Sequence, residues 1–229
     1  MTARSNDIQQ LLSRWVSLGI AFGRDKHKED QDIEQTIIDT LPFLPGDLKL
    51  LILLLTWLDE MGDLIHLERI KTMAKVLPPT ELAFLGAIAE FTKKRYRNWQ
   101  LISAFARKKL RHSFSKGFVP ELSERLTISV DMGQVEPDPA FERFRLRIPE
   151  IALSDKKKLI PRRYVLQDHK WFSMRALIGA NWRADVAFSM LKDPGMNPYR
   201  IAKKLSCSYE TAYRLKKALD ESSLVAWDH

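Results

Sequence analysis

Along the first 115 residues, apolar positions recur every three to four places, which predicts one helix after another. "NDIQQLLSRWVSLGIAF" (6–22) carries Ile8, Leu11, Leu12, Trp15 and Leu18 at helical spacing behind a capping Asn6 or Asp7. "IEQTIIDTL" (33–41) is shorter and stops at Pro42. "PGDLKLLILLLTWLDEMG" (45–62) opens at Pro45 and closes at Gly62, a C′ position. Its run "LKLLILLLTWL" contains Lys49 and is about half the length that crosses a bilayer, so it predicts a buried helix and no membrane span. "DLIHLERIKTMAKVL" (63–77) begins at an N-cap Asp63. "PPTELAFLGAIAEFTKKR" (78–95) and "NWQLISAFARKKLRH" (98–112) complete a compact helical part over 1–118.

After Gly117 the period changes. "LTISV" (126–130) alternates apolar and polar residues, and "FRLRI" (144–148) puts Phe144, Leu146 and Ile148 on one face. "DMGQVEPDPAFER" between them is rich in turn formers, so the connector over 119–170 is expected to hold two short strands. Its second half, "SDKKKLIPRRYVLQDHK" (154–170), is basic, with Pro161 interrupting any helix.

From Trp171 to His229 the chain is helical again. "WFSMRALIGANWRADVAFSMLKDPG" supplies one or two helices. "NPYRIAKKL" (197–205) follows, with Asn197 at N-cap, Pro198 at N1 and Ile201, Ala202 and Leu205 facing inward. "SCS" (206–208) is the turn. Ser208 caps "YETAYRLKKALDES" (209–222), whose Ala212, Leu215 and Leu219 face inward, and "SLVAW" (223–227) reads as a strand.

Two helices on a three- or four-residue turn, with this inward spacing, meet the demands of a helix-turn-helix. Residues 182–227 resemble the winged helix-turn-helix domains of bacterial transcriptional regulators. The longer string from "RALIGANWRADVAF" to "DESSLV" is similar to a group of such regulators that carry "RALFG" and "RAEVL" ahead of the domain. Spacing and resemblance together predict a mainly α chain: a helical domain over 1–118 and a β-containing connector over 119–170, both read from periodicity alone, and a winged helix-turn-helix domain over 171–229, the one part that the resemblance covers. The resemblance implies sequence-specific binding of duplex DNA, by a homodimer, as a transcriptional regulator, antitoxin or defence-linked repressor. The reading helix would be about 208–221, with Ser208, Tyr209, Thr211, Tyr213 and Arg214 toward the groove. Arg200, Lys203, Lys204, Lys216 and Lys217 would neutralise phosphates. Glu210 is a contrary charge that nonetheless suits the first turn of a helix. Winged domains usually close with a second strand, and this chain stops at His229. The wing is therefore expected to be minimal or completed by the 126–148 region.

Charge supports an acidic partner. The net charge is +8 and the pI about 9.5. Residues 1–92 are net acidic, whereas 93–117 hold nine Lys and Arg and no acid, and 155–229 are basic again. The run 93–117 mixes its cations with Tyr96, Trp99 and Phe105. Such a mixture fits a second nucleic-acid surface or the solvated face of an amphipathic helix, and the sequence leaves both open. The acidic N-terminal helices offer a surface for a protein partner. "MTARSNDIQQ" has no apolar leader, and the single Cys207 makes no intrachain disulfide, so a reducing cytoplasm, at the nucleoid, is the expected place.

Nothing in the chain composes an active site or a cofactor site. His27, His66, His112, His169 and His229 lack metal-ligand spacing, and His66 is expected on a helix surface or satisfied in the core. Arg107 and His112 fit the R-x4-H spacing of the helical HEPN ribonucleases of bacterial toxins, and Arg163 with His169 fits a looser version. In a chain with 37 Lys and Arg, such pairs arise by chance. A third alternative is a protein-binding adaptor whose cations bind nucleic acid without reading it.

Overall fold

The computed structural model describes residues 2–21, 31–153 and 156–222. Thirteen α-helices are present among them: α1 (Thr2–Ser17), α2 (Ile33–Thr40), α3 (Leu48–Met61), α4 (Leu67–Met73), α5 (Pro79–Thr92), α6 (Gln100–Ser115), α7 (Glu124–Asp131), α8 (Pro139–Glu142), α9 (Arg162–Asp168), α10 (Lys170–Ile178), α11 (Trp182–Lys192), α12 (Pro198–Leu205) and α13 (Tyr209–Glu221). The fold is all-α. The only β pairings among the described residues are two isolated antiparallel bridges, Ile20 with Leu159 and Pro137 with Pro149.

The N-terminal helices stand where hydrophobic spacing puts them, except that α1 starts at Thr2, so Asn6 and Asp7 lie within it and do not cap it, and α3 is buried over Leu50–Leu58 almost all round, as its composition demands. Capping refines the starts. Asp47 accepts from the Leu50 amide at α3, and Asp32 from the Gln35 amide at α2. Asp63 is not the N-cap expected of it: residues 62–64 form a 3-10 turn, and α4 starts after His66. Gly62 is not a left-handed C′ residue either, since its φ is −63°. A Cβ there would lie 2.6 Å from the Tyr96 ring, so close approach is what demands glycine.

Four tryptophans are buried, and each indole N–H finds an acceptor. Trp15 donates to Thr40 Oγ1, Trp57 to the Leu18 carbonyl, Trp99 to the Gly62 carbonyl and Trp171 to Asp185. One hydrophobic core runs from Leu11 to Ala212, so α12 and α13 share it with the N-terminal helices.

The expected β connector is absent. "LTISV" forms most of α7, where Leu126 and Val130 are both buried. Their spacing of four fits a helix face as well as every second residue of a strand, and five residues are too few to separate the two periods. At 144–148 the alternation is right about burial and wrong about structure. Phe144, Leu146 and Ile148 are fully buried, yet Arg145 takes φ +59° and no ladder forms. Prolines at 137, 139 and 149 remove donors that a ladder would need. The region therefore has no strand to complete a wing, and "SLVAW" (223–227) lies outside the described residues.

Pro161 starts a helix rather than ending one, as the N-cap residue of α9. The basic stretch around it binds the acidic part of the chain. Lys156 pairs with Asp59 and Glu60, and Arg162 pairs with Asp63 through two bonds of 2.6 Å. Backbone bonds from Ala21 to the Lys158 carbonyl and from Ile160 to the Gly19 carbonyl fasten it to the end of α1.

Helices α5 and α6 cross closely at Gly86. A Cβ there would lie 2.8 Å from Ala106 Cβ and would overlap the Phe144 ring. Gly86→Ala is expected to destabilise the protein by about 1–3 kcal/mol despite its better helix propensity. A urea titration of the two proteins checks this, and an unchanged midpoint would show that the crossing has slack.

Candidate nucleic-acid interface

Local capping sets the starts of α11, α12 and α13. Asn181 Oδ1 accepts from the Arg183 and Ala184 amides to start α11. Asn197 accepts from the Arg200 amide, with Pro198 at N1 of α12. Ser206 ends α12 in the left-handed conformation, φ 59° and ψ 37°, and its N–H and that of Cys207 both bond the Ala202 carbonyl. Ser208 then starts α13, its hydroxyl 3.1 Å from the Thr211 amide and 2.8 Å from the Thr211 hydroxyl. Ile201, Ala202, Leu205 and Ala212 are buried, while Leu215, Leu219 and Cys207 pack partly against the core.

The outward side of this unit holds most of the residues singled out in the sequence. Ser208, Tyr209, Tyr213, Arg214 and Lys217 are exposed on α13, and Thr211 is half-buried. They divide between two flanks. Tyr209 and Tyr213 stack on one, with ring centroids 6.1 Å apart and planes 20° apart. On the other, Thr211 and Arg214 line a cleft with Asn181, Trp182 and Arg183 at the start of α11. Arg183 escaped the sequence reading. It sits beside a helix cap in "NWRAD", and only the fold brings it to Arg214.

The cations are not equivalent. Lys216 pairs with Asp220 at 2.8 Å, Lys217 approaches Glu221 at 3.8 Å, and Arg200 approaches Asp193 at 3.4 Å. Lys203, Arg183 and Arg214 pair with no carboxylate among the described residues. Lys204 turns back over α11, its ammonium 5.9 Å from the Phe188 ring centroid. Burial, followed by the nearby Lys192, lowers its pKa.

Beneath the turn lies a buried ionic cluster that sequence reasoning missed. Arg175 of α10 donates to both carboxylate oxygens of Glu34 in α2, at 2.6 and 2.8 Å, and to Asp185 of α11 at 2.8 Å. Asp185 also accepts from Trp171 and from His66 Nδ1, each at 2.6 Å. Arg69 of α4 bonds Glu34 and Asp32, and its Nε donates to the Leu205 carbonyl at 2.9 Å. A side chain of α4 thereby caps the C-terminus of α12, where a cation complements the helix dipole. Glu34, Arg69, Arg175 and Asp185 are all at most 1% exposed. His66 is thus a satisfied core residue.

Burial alone would raise the Asp185 carboxyl, but Arg175, His66 and Trp171 outweigh it and bring it down to about 2. Glu34 is also lowered, because Arg175 and Arg69 outweigh its burial. Arg175 is raised: burial works against its charge, and Glu34 and Asp185 prevail.

Arg107 and His112 leave α6 about 140° apart around its axis. Arg163 is exposed, whereas His169 is buried and accepts from the Phe172 amide at the start of α10. Among the described residues no helix is long and apolar enough to cross a membrane. Comparison with protein-family models, with curated proteins and with solved structures finds no match.

A carboxylate depressed by folding stabilises above its unfolded pKa and loses that contribution as pH falls through its folded value. For Asp185 the window runs from its ordinary 3.8 down to about 2, and the contribution is about 2 kcal/mol. Urea midpoints are expected to hold near neutral pH and to fall across this window. In Asp185→Asn the dependence is expected to be shallower. Arg175→Met, which leaves Asp185 without its guanidinium and Glu34 with Arg69 alone, is expected to cost about 3–5 kcal/mol in the same assay at pH 7.

Proposed function

We propose that the chain binds duplex DNA in a sequence-dependent way through α12 and α13, as a transcriptional regulator of the helix-turn-helix kind. The observation that carries this reading is the outward edge of α13. It begins at a capped N-terminus and presents two tyrosines, a threonine and an arginine, with the unpaired cations Lys203 and Arg183 close by in the unit.

Each residue has a role that fits its placement. Arg214 has no carboxylate partner and can make two bonds to guanine O6 and N7. Thr211 and Ser208 lie at the start of α13, where backbone N–H groups and hydroxyls suit a phosphate. Tyr209 and Tyr213 offer ring faces to sugars and hydroxyls to phosphate. Lys203, Arg183 and Arg200 neutralise the backbone and set the register of the helix without reading bases. Lys216 is paired with an acid of its own helix and Lys204 turns back over α11, so these two serve the unit's packing as much as its charge, whereas the exposed Lys217 is held only loosely by Glu221 and joins the backbone neutralisers. A homodimer on a twofold-related operator completes the proposal, with half-sites about one turn of DNA apart.

The test is a salt series of binding to duplex DNA from the gene's upstream region and to random duplex. Arg214→Ala is expected to remove the preference for the upstream DNA, a loss of about 1–3 kcal/mol in discrimination. Lys203→Ala is expected to weaken binding to both duplexes and to lower the salt slope by about one. If Arg214→Ala binds both DNAs as the parent does, α13 is not the reading element.

A further inference from the structure

We propose a second duplex-backbone site on α6, in a cleft of about 590 Å³ lined by Ala104, Arg107, Lys108, Arg111, Phe114 and Arg143. Three observations carry it. Arg107, Lys108 and Arg111 are exposed, and no carboxylate among the described residues pairs with them. This separates them from other cations of the run 93–117: Lys93 is bound to Glu90 and Arg95 to Asp59. The fold also brings to the cleft a guanidinium from outside the run, one that is already paired and so shapes the wall without adding free charge. Arg143, next to α8, is held at the cleft wall by the buried carboxylate of Glu90, which is itself fixed by Ser103 at 2.6 Å.

The third observation selects the occupant. Proteins that take single strands offer aromatic platforms on which bases stack. Here those platforms are taken. Trp99 is fully buried and bonded to the Gly62 carbonyl, and the Tyr96 hydroxyl donates to the Asp59 carbonyl. Phe105 packs against the core. Phe114, the one ring lining the cleft, already has Phe118 stacked on it and the Arg145 guanidinium 4.9 Å from its centroid. What remains is a concave row of cations without stacking surfaces. Arg107 and Arg111 are one helical turn apart, about 6 Å along the axis. Such a row suits successive phosphates of duplex DNA and reads no sequence.

The site does not need α13 to be a reader, and the experiment keeps the two apart. Binding of random-sequence duplex is measured against salt concentration by fluorescence anisotropy. The full chain is compared with Arg107→Gln/Arg111→Gln, each with and without Lys203→Ala/Arg214→Ala. Two lost phosphate contacts are expected to lower the slope of log K against log salt by about 1.8, in both backgrounds. Lys108→Gln alone is expected to lower it by about 0.9, which keeps the test open should the double variant misfold. An unchanged slope and affinity in both proteins would overturn the proposal. So would a loss confined to single-stranded RNA or DNA of matched length, because it would assign the cleft to single strands. A slope that falls in both backgrounds, even where Arg214→Ala has no effect on preference, would uphold this site while overturning the reading of α13.

Discussion

The pair of arginines Arg69 and Arg175, set against Glu34 and Asp185, is the constraint on which the arrangement of the chain depends. All four are buried, so each charge has lost its hydration, at a cost of several kcal/mol apiece. That cost is tolerable only when every hydrogen-bonding position is used, and here it nearly is. Glu34 receives Arg175, Arg69 and the His66 amide, while Asp185 receives Arg175, Trp171 and His66. A cluster of this kind is a poor source of net stability compared with apolar packing, but a strong source of uniqueness. Rotating α10 or α11 by one position would leave a carboxylate facing hydrocarbon.

The same cluster reaches the turn between α12 and α13. Arg69 places its guanidinium between the carboxylates and the carbonyl at the end of α12, so the orientation of that helix is referred to α2 and α4 and not to its neighbours alone. The hydrophobic contacts of Ile201, Leu205 and Ala212 then fix the position of α13 within the shared core. The outward side chains of α13 inherit this. Their backbone is held from beneath, and freedom remains at the rotamers of Tyr209, Tyr213 and Arg214, which is the condition under which a surface can discriminate between partners.

What could be read in the sequence was what local chemistry decides. Asn197, Pro198 and Ser208 act within four residues of their own positions, so the starts of α12 and α13 were legible, and α3 was legible from composition alone. The strands at 126–130 and 144–148 were misread because five residues of alternation do not separate the two periods, and the prolines around the second segment argue against a ladder. Arg69 and Arg175 were illegible for another reason. Their partners lie as far as 141 residues away in the chain, and each sits on a helix where a charged residue reads as solvent-facing. A faint signal was there. Arg175 lies four residues after Trp171 and three after Phe172, and Asp185 lies within "ADVAF", so both fall on apolar faces where a charge needs a partner.

The two cationic surfaces differ in the kind of chemistry they offer, and the difference follows from what surrounds each charge. On α13 the cations are interleaved with hydroxyls, exposed rings and Glu210, a set whose members respond differently to different neighbours. Along α6 the exposed polar residues of the cleft are cations with their aromatic neighbours already engaged, a set that responds to negative charge. A surface of the first kind gains from being held rigidly, because discrimination depends on bond geometry. A surface of the second kind does not, because ion release depends on the number of phosphates neutralised and hardly on their registration. The fold matches this division. The buried ionic cluster braces α12 and, through the shared core, the helix that would have to be placed accurately, while α6 presents its long, flexible side chains on an exposed face where accuracy is not required.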